Sequence, residues 1–208
     1  MKEVGWEHPH QLPDGTRVIV RPVRKDDKEE LRRAIRSLSE ETTMRRFLRA
    51  HVEPSEAVLA QLSDVDQENH VAIAAMIASP DLKSERGAGI ARFVRIVGHP
   101  EIAESAITVV DEFQHRGLGR ILLLELVEIA RKHGIKRFRA EVLKDNAAVN
   151  SILAQVPHVE VAQSDLSATY EIALNDRNHD HWPLYEAFRA IALSFRRVVE
   201  LTTGAPKT

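Results

Sequence analysis

This sequence predicts a mixed α/β domain, a sheet of about seven strands with helices flanking it. Three observations lead there. Apolar runs of strand length alternate with amphipathic stretches of helix length. A strand–helix–strand passage over residues 105–143 calls for a parallel pair, because only a crossover joins parallel neighbours. Short polar loops elsewhere, such as Ser79 to Gly87, call for antiparallel hairpins.

The elements follow in order. Asp14-Gly15 is a turn signal, and Arg17 to Arg21 alternates polar and apolar as a first strand does. Asp26 and Asp27 open a helix whose first turn carries Glu29 and Glu30, where negative charge suits the helix dipole. Leu31, Ile35 and Leu38 form its apolar face. A second helix starts at Ser39 and runs to about Ala50, and a third starts at Pro54-Ser55 and runs through Leu62. Val71 to Ala78 and Ile90 to Val97 are the next strands, and Ser105 to Val110 is the fourth. Leu118 to His133 is a helix with a stripe at Ile121, Leu122, Leu126, Ile129 and Ala130, stopped by Gly134. Phe138 to Leu143 is a fifth strand and Asn146 to Val156 a short helix. Val159 to Ala162 and Ala168 to Leu174 close the sheet, and Trp182 to Leu201 is an amphipathic tail helix.

Composition narrows the classes. With 208 residues, 43% hydrophobic and 29% charged, the chain suits one globular domain. A net charge of −2 gives no strong pull toward nucleic acid or an anionic membrane, so neither is an expected partner. The absence of cysteine excludes disulfides, a zinc–thiolate site and a cysteine nucleophile. The N-terminus has no apolar core of a secretory signal, and the longest apolar run, Ile121 to Leu124, is too short to span a bilayer. A cytoplasmic location is expected.

The chemistry is concentrated in Ile107 to Leu124, ITVVDEFQHRGLGRILLL. A strand ends, a polar glycine-containing turn follows, and an apolar helix begins. Gln114, Gly117 and Gly119 spell Gln-x-x-Gly-x-Gly. Glycines let the backbone curl so that the N–H groups of His115, Arg116, Gly117, Leu118, Gly119 and Arg120 converge at a helix N-terminus, a natural seat for a pyrophosphate. Arg116 and Arg120 add positive charge. A P-loop would need Gly-Lys-Ser/Thr, and Arg120-Ile121 stands there instead. A dinucleotide fingerprint would need glycine at Leu122, although Glu141 lies near where its ribose-binding acid would fall. An ordinary strand–helix turn fits the same residues.

The segment resembles motif A of the GNAT superfamily of N-acetyltransferases, and the resemblance runs from about Thr16 to Leu174. GIARFVRI (Gly89 to Ile96), AESAITV (Ala103 to Val109) and RFRAEVLKDN (Arg137 to Asn146) are similar to the bacterial Pat-type protein lysine acetyltransferases. The resemblance implies a GNAT fold over residues 13–176, with residues 1–12 an N-terminal extension and 177–208 a C-terminal helix and tail. It implies acetyl-CoA as donor and an amine acceptor such as a protein lysine; no metal is expected, since cysteine is absent and the His179-Asp180-His181 cluster is poorly spaced for ligation. It implies that the fourth strand bends away from the fifth, so that the pantetheine arm pairs with main-chain groups of about Thr108, Val109 and Val110. It implies that the pyrophosphate rests on the 115–120 turn, that Asn146 contacts the cofactor arm, and that Asn150, a helical turn on, shares its face.

The reaction needs a neutral amine, and a lysine amine with a pKa of about 10.4 is mostly protonated near neutrality. Glu104, ten residues before Gln114, matches the base-position glutamate of the Pat-type enzymes. Glu101 and Glu112 lie nearby off the motif position, and an exposed strand-end glutamate remains the plain reading of Glu104. The chain departs from the family where a tyrosine would protonate the leaving thiolate: Leu153 stands there, followed by Val156-Pro157-His158, so no general acid is assigned. Acetylation of a small amine, or acyl-CoA binding without catalysis, are the alternatives this departure keeps open.

Other clusters read as solvated surface: His179-Asp180-His181, the pair His8 and His10, and the basic helix face of Arg45, Arg46 and Arg49. The tail stripe of Trp182, Phe188, Ile191, Phe195 and Val199 is spaced to pack on the core or on a second subunit, which would make a homodimer. Truncation at Asp180 should therefore lower solubility or stability, or halve the mass seen by light scattering; a truncated chain unchanged in all three would refute the packing.

Overall fold

The computed structural model describes residues 5–40, 42–43, 53–78, 85–143, 158–163, 165 and 167–174. Its centre is one eight-stranded sheet. The strands are β1 (His8–Gln11), β2 (Arg17–Pro22), β3 (His70–Ala78), β4 (Glu85–Ile96), β5 (His99–Val109), β6 (Arg137–Leu143), β7 (His158–Gln163) and β8 (Ser167–Ala173). The helices are α1 (Lys28–Arg36), α2 (Glu56–Ser63) and α3 (Leu118–Lys132), with short 3₁₀ turns at Lys25–Asp27 and Asp111–Phe113. The strand order is β1-β2-β3-β4-β5-β6-β8-β7. Every pair is antiparallel except β5–β6, which α3 connects. The parallel pair thus falls where the sequence called for a crossover.

Both faces of the sheet are covered. Leu118, Leu122, Leu123, Leu126, Val127 and Ala130 of α3 pack with Val71, Ile73, Ala91, Phe93, Ala103 and Phe138. On the other face Leu31 and Ile35 of α1 meet Leu59 and Leu62 of α2. A strand covered twice has no polar side to show, which explains the unbroken apolar run of β3. Ser55 caps α2 by accepting the Val58 N–H at 3.3 Å. At the far end of α3, Gly134 takes φ 76°, and the Ile135 N–H reaches back to the Ala130 carbonyl at 2.9 Å. With the Gly134 bond to Arg131 this is a Schellman stop, and Ile135 goes into the core behind it.

The sequence reading expected about seven strands; the added one is β1. Its residues, HPHQ, carry no apolar alternation, and Pro9 is tolerated because the strand lies at the sheet edge. His8 and His10 share one face, two residues apart, and meet the carboxylate of Glu125 on α3 at 2.9 and 2.8 Å. They are not solvated loop residues, as expected from sequence, but a clasp between the edge strand and the helix. β4 and β5 both begin earlier than predicted, because Glu85 to Gly89 pairs with β3 and the polar stretch His99 to Glu104 pairs with β4. The expected helix over Asn146 to Val156, the tail helix and most of the helix starting at Ser39 lie outside the described residues.

Phe93 has no exposed surface and stands beside Phe138, with ring centroids 6.2 Å apart. Phe93→Ala should lower unfolding stability in urea by about 3–5 kcal/mol. A loss below about 1 kcal/mol would show that the two sheet layers do not depend on it.

Candidate active site

The parallel seam is short. β5 pairs with β6 only from Ile102 to Glu104, opposite Arg137 to Arg139. Beyond Glu104, β5 stays with β4 as far as Val109, and β6 stays with β8 as far as Leu143. The two strands therefore part after Glu104. Which main-chain groups face the parting follows from alternation. The Val110 N–H bonds the Ala88 carbonyl at 2.9 Å, so even-numbered β5 residues turn their main chain toward β4. Ser105, Ile107 and Val109 turn theirs toward the β6 side. Of the three predicted positions, Val109 faces the parting, while Thr108 and Val110 are bonded to β4. Ile107, not among the predicted positions, faces the parting as well, as the two-residue period of a strand requires.

The side chains sort the opposite way. Directly paired residues share a face, so Glu104, Ala106 and Thr108 project with Val94, Arg92 and Ile90. That is the α1–α2 face. A cleft beneath α1 is lined there by Leu31, Ala34, Ile35, Ile90, Arg92 and Thr108. Glu104 is half-buried and stands where the strands begin to part. The neighbouring acids are committed elsewhere. Glu101 pairs with Lys136 at 2.8 Å and Arg137 at 2.9 Å, and Glu112 pairs with Arg86 at 2.7 Å.

The turn after β5 has the expected curl. His115 and Gly117 both take the left-handed backbone, with φ of 58° and 88°. Gly117 is the N-cap of α3, and its carbonyl accepts the N–H groups of Arg120 at 3.1 Å and Ile121 at 3.2 Å. Among the described residues the N–H groups of His115, Arg116, Gly117, Leu118 and Gly119 have no hydrogen-bond partner. That run of free donors at the start of a 15-residue helix suits an anion. Leu118 contributes only its main chain, since its side chain is fully in the core.

The two arginines of the motif differ. Arg116 bonds Asp14 at 2.7 Å and Thr16 at 2.8 Å and lies 5.4 Å from the Phe113 ring. Hydrogen bonds from Thr16, then from Arg116, hold the Asp14 carboxyl down at about 2. Arg116 thus ties the turn to the β1–β2 hairpin. Arg120 has no ion pair among the described residues, and its Nε is buried without a partner. It is the cation available to a ligand.

A second set of residues was not visible in the sequence. Asp111 accepts from the Ser39 N–H at 2.9 Å, the Ser39 hydroxyl at 2.6 Å and the Thr42 hydroxyl at 2.8 Å. Burial pushes its carboxyl up, but those hydrogen bonds outweigh it and hold it below the usual range. Gln114 donates to Thr42 Oγ1 at 3.3 Å and to the Val109 carbonyl at 3.1 Å. The motif glutamine therefore ties the end of β5 to the segment around Ser39. The spacing of 72 residues between Ser39 and Asp111 leaves no local signal. Asn146, Asn150, Leu153 and the Arg45, Arg46 and Arg49 face lie outside the described residues. Among the described residues no group of three His, Cys, Asp or Glu could hold a metal ion, and no helix is long and apolar enough to cross a membrane.

Residues 17–156 match the acetyltransferase (GNAT) domain family, a span that contains the parting strands and the turn. The chain belongs to that family. It is 35% identical over 137 residues to an acetyltransferase of Pseudomonas aeruginosa, PA5475, covering 66% of this chain and 70% of that one. It is 33% identical over 162 residues to acetyltransferase Pat of Mycolicibacterium smegmatis, covering 74% of this chain and 45% of Pat, so it spans less than half of that relative. The crystal structure of the GNAT domain of S. lividans PAT superposes with a TM-score of 0.68 at 28% identity, over 83% of this chain and 99% of that one. The protein is an N-acetyltransferase related to the Pat type, of a family that uses acetyl-CoA and an amine acceptor. Its mostly antiparallel sheet sets aside the dinucleotide-fold reading of the turn.

The residues present fit that donor: free N–H groups and Arg120 suit a pyrophosphate, and the open edge of β5 suits an amide-bearing arm. A left-handed backbone costs a non-glycine residue about 1–2 kcal/mol, and valine, branched at Cβ, is a poor guest there. Gly117→Val should thus weaken acetyl-CoA binding, measured by calorimetry, by roughly tenfold. Unchanged affinity in a folded variant would remove the turn from the donor site.

Proposed function

We propose that this enzyme transfers acetyl directly from acetyl-CoA to a protein lysine amine, with Glu104 as general base. The observation that carries the reading is the place of Glu104, where β5 parts from β6 and on the face of the α1 cleft. The donor arm pairs with the main chain of Ile107 and Val109, and the acceptor comes from the α1–α2 side. The carboxylate of Glu104, directly or through a water, then takes the proton as the amine attacks the thioester carbonyl. The C–N bond forms, the C–S bond breaks, and coenzyme A leaves as a thiolate that solvent protonates. Direct attack fits a chain without cysteine. The lysine acceptor rests on the likeness to the Pat-type enzymes, as does the assignment of Asn146 and Asn150 to the donor arm. The same reading places the enzyme in the cytoplasm, where acetyl-CoA and lysine-bearing proteins meet.

Glu104→Gln preserves size and cannot accept the proton. It should leave acetyl-CoA affinity nearly intact and lower turnover by about 10² to 10⁴-fold. The deficit should shrink as pH rises and more of the amine is already neutral. The assay is acceptor-dependent release of coenzyme A from about pH 6 to 10, with lysine peptides and a panel of polyamines as acceptors. Equal rates for both proteins across the range would remove Glu104 from the mechanism. Release with polyamines alone would move the acceptor to small amines. No release with any acceptor would leave a binding module.

A further inference from the structure

The turn at residues 115–119 is backed by the hairpin between β1 and β2. Arg116 Nε donates to Asp14 Oδ2 at 2.7 Å, and Arg116 Nη2, beside the same oxygen, donates to Thr16 Oγ1 at 2.8 Å. Asp14 is itself aimed, because its Oδ1 accepts the Thr16 N–H at 2.9 Å. The buried ring of Phe113 flanks the guanidinium at 5.4 Å. Pro13 lies against Gly117, where an added Cβ would stand 3.6 Å from Pro13 Cδ. The hairpin is fixed independently of Arg116. The Gly15 N–H bonds the Leu12 carbonyl and the Leu12 N–H bonds the Thr16 carbonyl, both at 2.9 Å. Leu12 is in the core, and β1 is fastened farther along α3 where His8 and His10 meet Glu125.

The turn needs an outside hold. His115 carries a left-handed backbone without being glycine, a conformation that persists only where the surroundings enforce it. The next residue, Arg116, is the one the hairpin grips. Gly117 then opens α3, so the N–H groups of the turn lie on either side of the gripped residue. A partly exposed ion pair does little for global stability. Beside a binding turn it has a different use, because a loop already in its bound form gives up less freedom when the ligand arrives. We propose that Asp14 is a positioning residue for the donor: acting through Arg116, and together with Thr16, it holds the 115–119 turn in the shape that receives the pyrophosphate. This rests on the reading of that turn as the pyrophosphate seat. Arg116 then serves the donor with its N–H while its side chain is a strut, and Arg120 is left as the cation for the phosphates.

The experiment compares two donors, acetyl-CoA and acetyl-pantetheine, which carries the thioester and the arm but no pyrophosphate. Asp14→Asn keeps the bond to the Thr16 N–H, and so the hairpin, but loses the charge that grips Arg116. It should weaken acetyl-CoA binding in calorimetry, and raise the KM for acetyl-CoA, by roughly fivefold. Its kcat and melting temperature should hardly move. Turnover of acetyl-pantetheine, with the same lysine peptide as acceptor, should stay at the wild-type level, because that donor does not reach the turn. Arg116→Met should cost at least as much acetyl-CoA affinity, and the double variant no more than Arg116→Met alone, as expected of two residues that act as one unit. Unchanged acetyl-CoA affinity in Asp14→Asn would overturn the inference. An equal loss with both donors would overturn it too, since that marks a general structural role. So would tighter binding, which would make Asp14 a competitor that keeps Arg116 from the phosphates. The pyrophosphate seat fails separately, if Gly117→Val leaves acetyl-CoA affinity unchanged.

Discussion

The rest of the structure depends on a competition for hydrogen-bond partners at β5 and β6. Each strand has an antiparallel neighbour that holds it along most of its length, β4 for β5 and β8 for β6. Between them only three residue pairs form. Sheet twist rotates neighbouring strands against each other, and a parallel pair, slightly weaker per residue, gives way before two long antiparallel ladders. The result is an open edge of β5 running out from Glu104 to the turn at residues 115–119. Glu104 and the turn are thus joined by a single strand, whose rise sets the distance between them.

Several arginines around that strand are held by carboxylates. Arg116 is taken by Asp14, Arg86 by Glu112, Arg139 by Glu171, and Arg137 by Glu101 and Glu171. Arg120 alone among the motif's cations keeps a buried nitrogen without a partner, beside the unpartnered N–H groups. A charge already paired contributes little field to its surroundings, so the pairing pattern decides where an anion is drawn. Asp111 plays the structural counterpart. Its hydrogen bonds from Ser39 and Thr42 brace the end of β5 against the segment that follows α1.

Most helices and strands were legible because their signals are local. The stripe of α3, the Gly134 stop, the Ser55 cap and the unbroken run of β3 each depend on residues within a few turns of one another. β1 was not legible: HPHQ has neither alternation nor β-branched residues, and it is a strand because β2 offers an edge and Glu125 takes its two histidines. The start of β5 was read too late for a similar reason, since its polar residues are held by the β4 ladder rather than by their own propensity.

By itself the sequence determined the turn and the helix it opens, the fold class, and through the motif the kind of chemistry, because Gln-x-x-Gly-x-Gly is a contiguous pattern whose backbone demands travel with it. The tertiary structure alone decided which main-chain groups of β5 face the parting, which arginines are taken, and that Glu171 stands in a row with Glu104, 67 residues apart in the chain. Those facts are matters of register between strands. A slip of one residue would send every side chain of a strand to the opposite face, and nothing in a single strand's sequence states which partner it will meet.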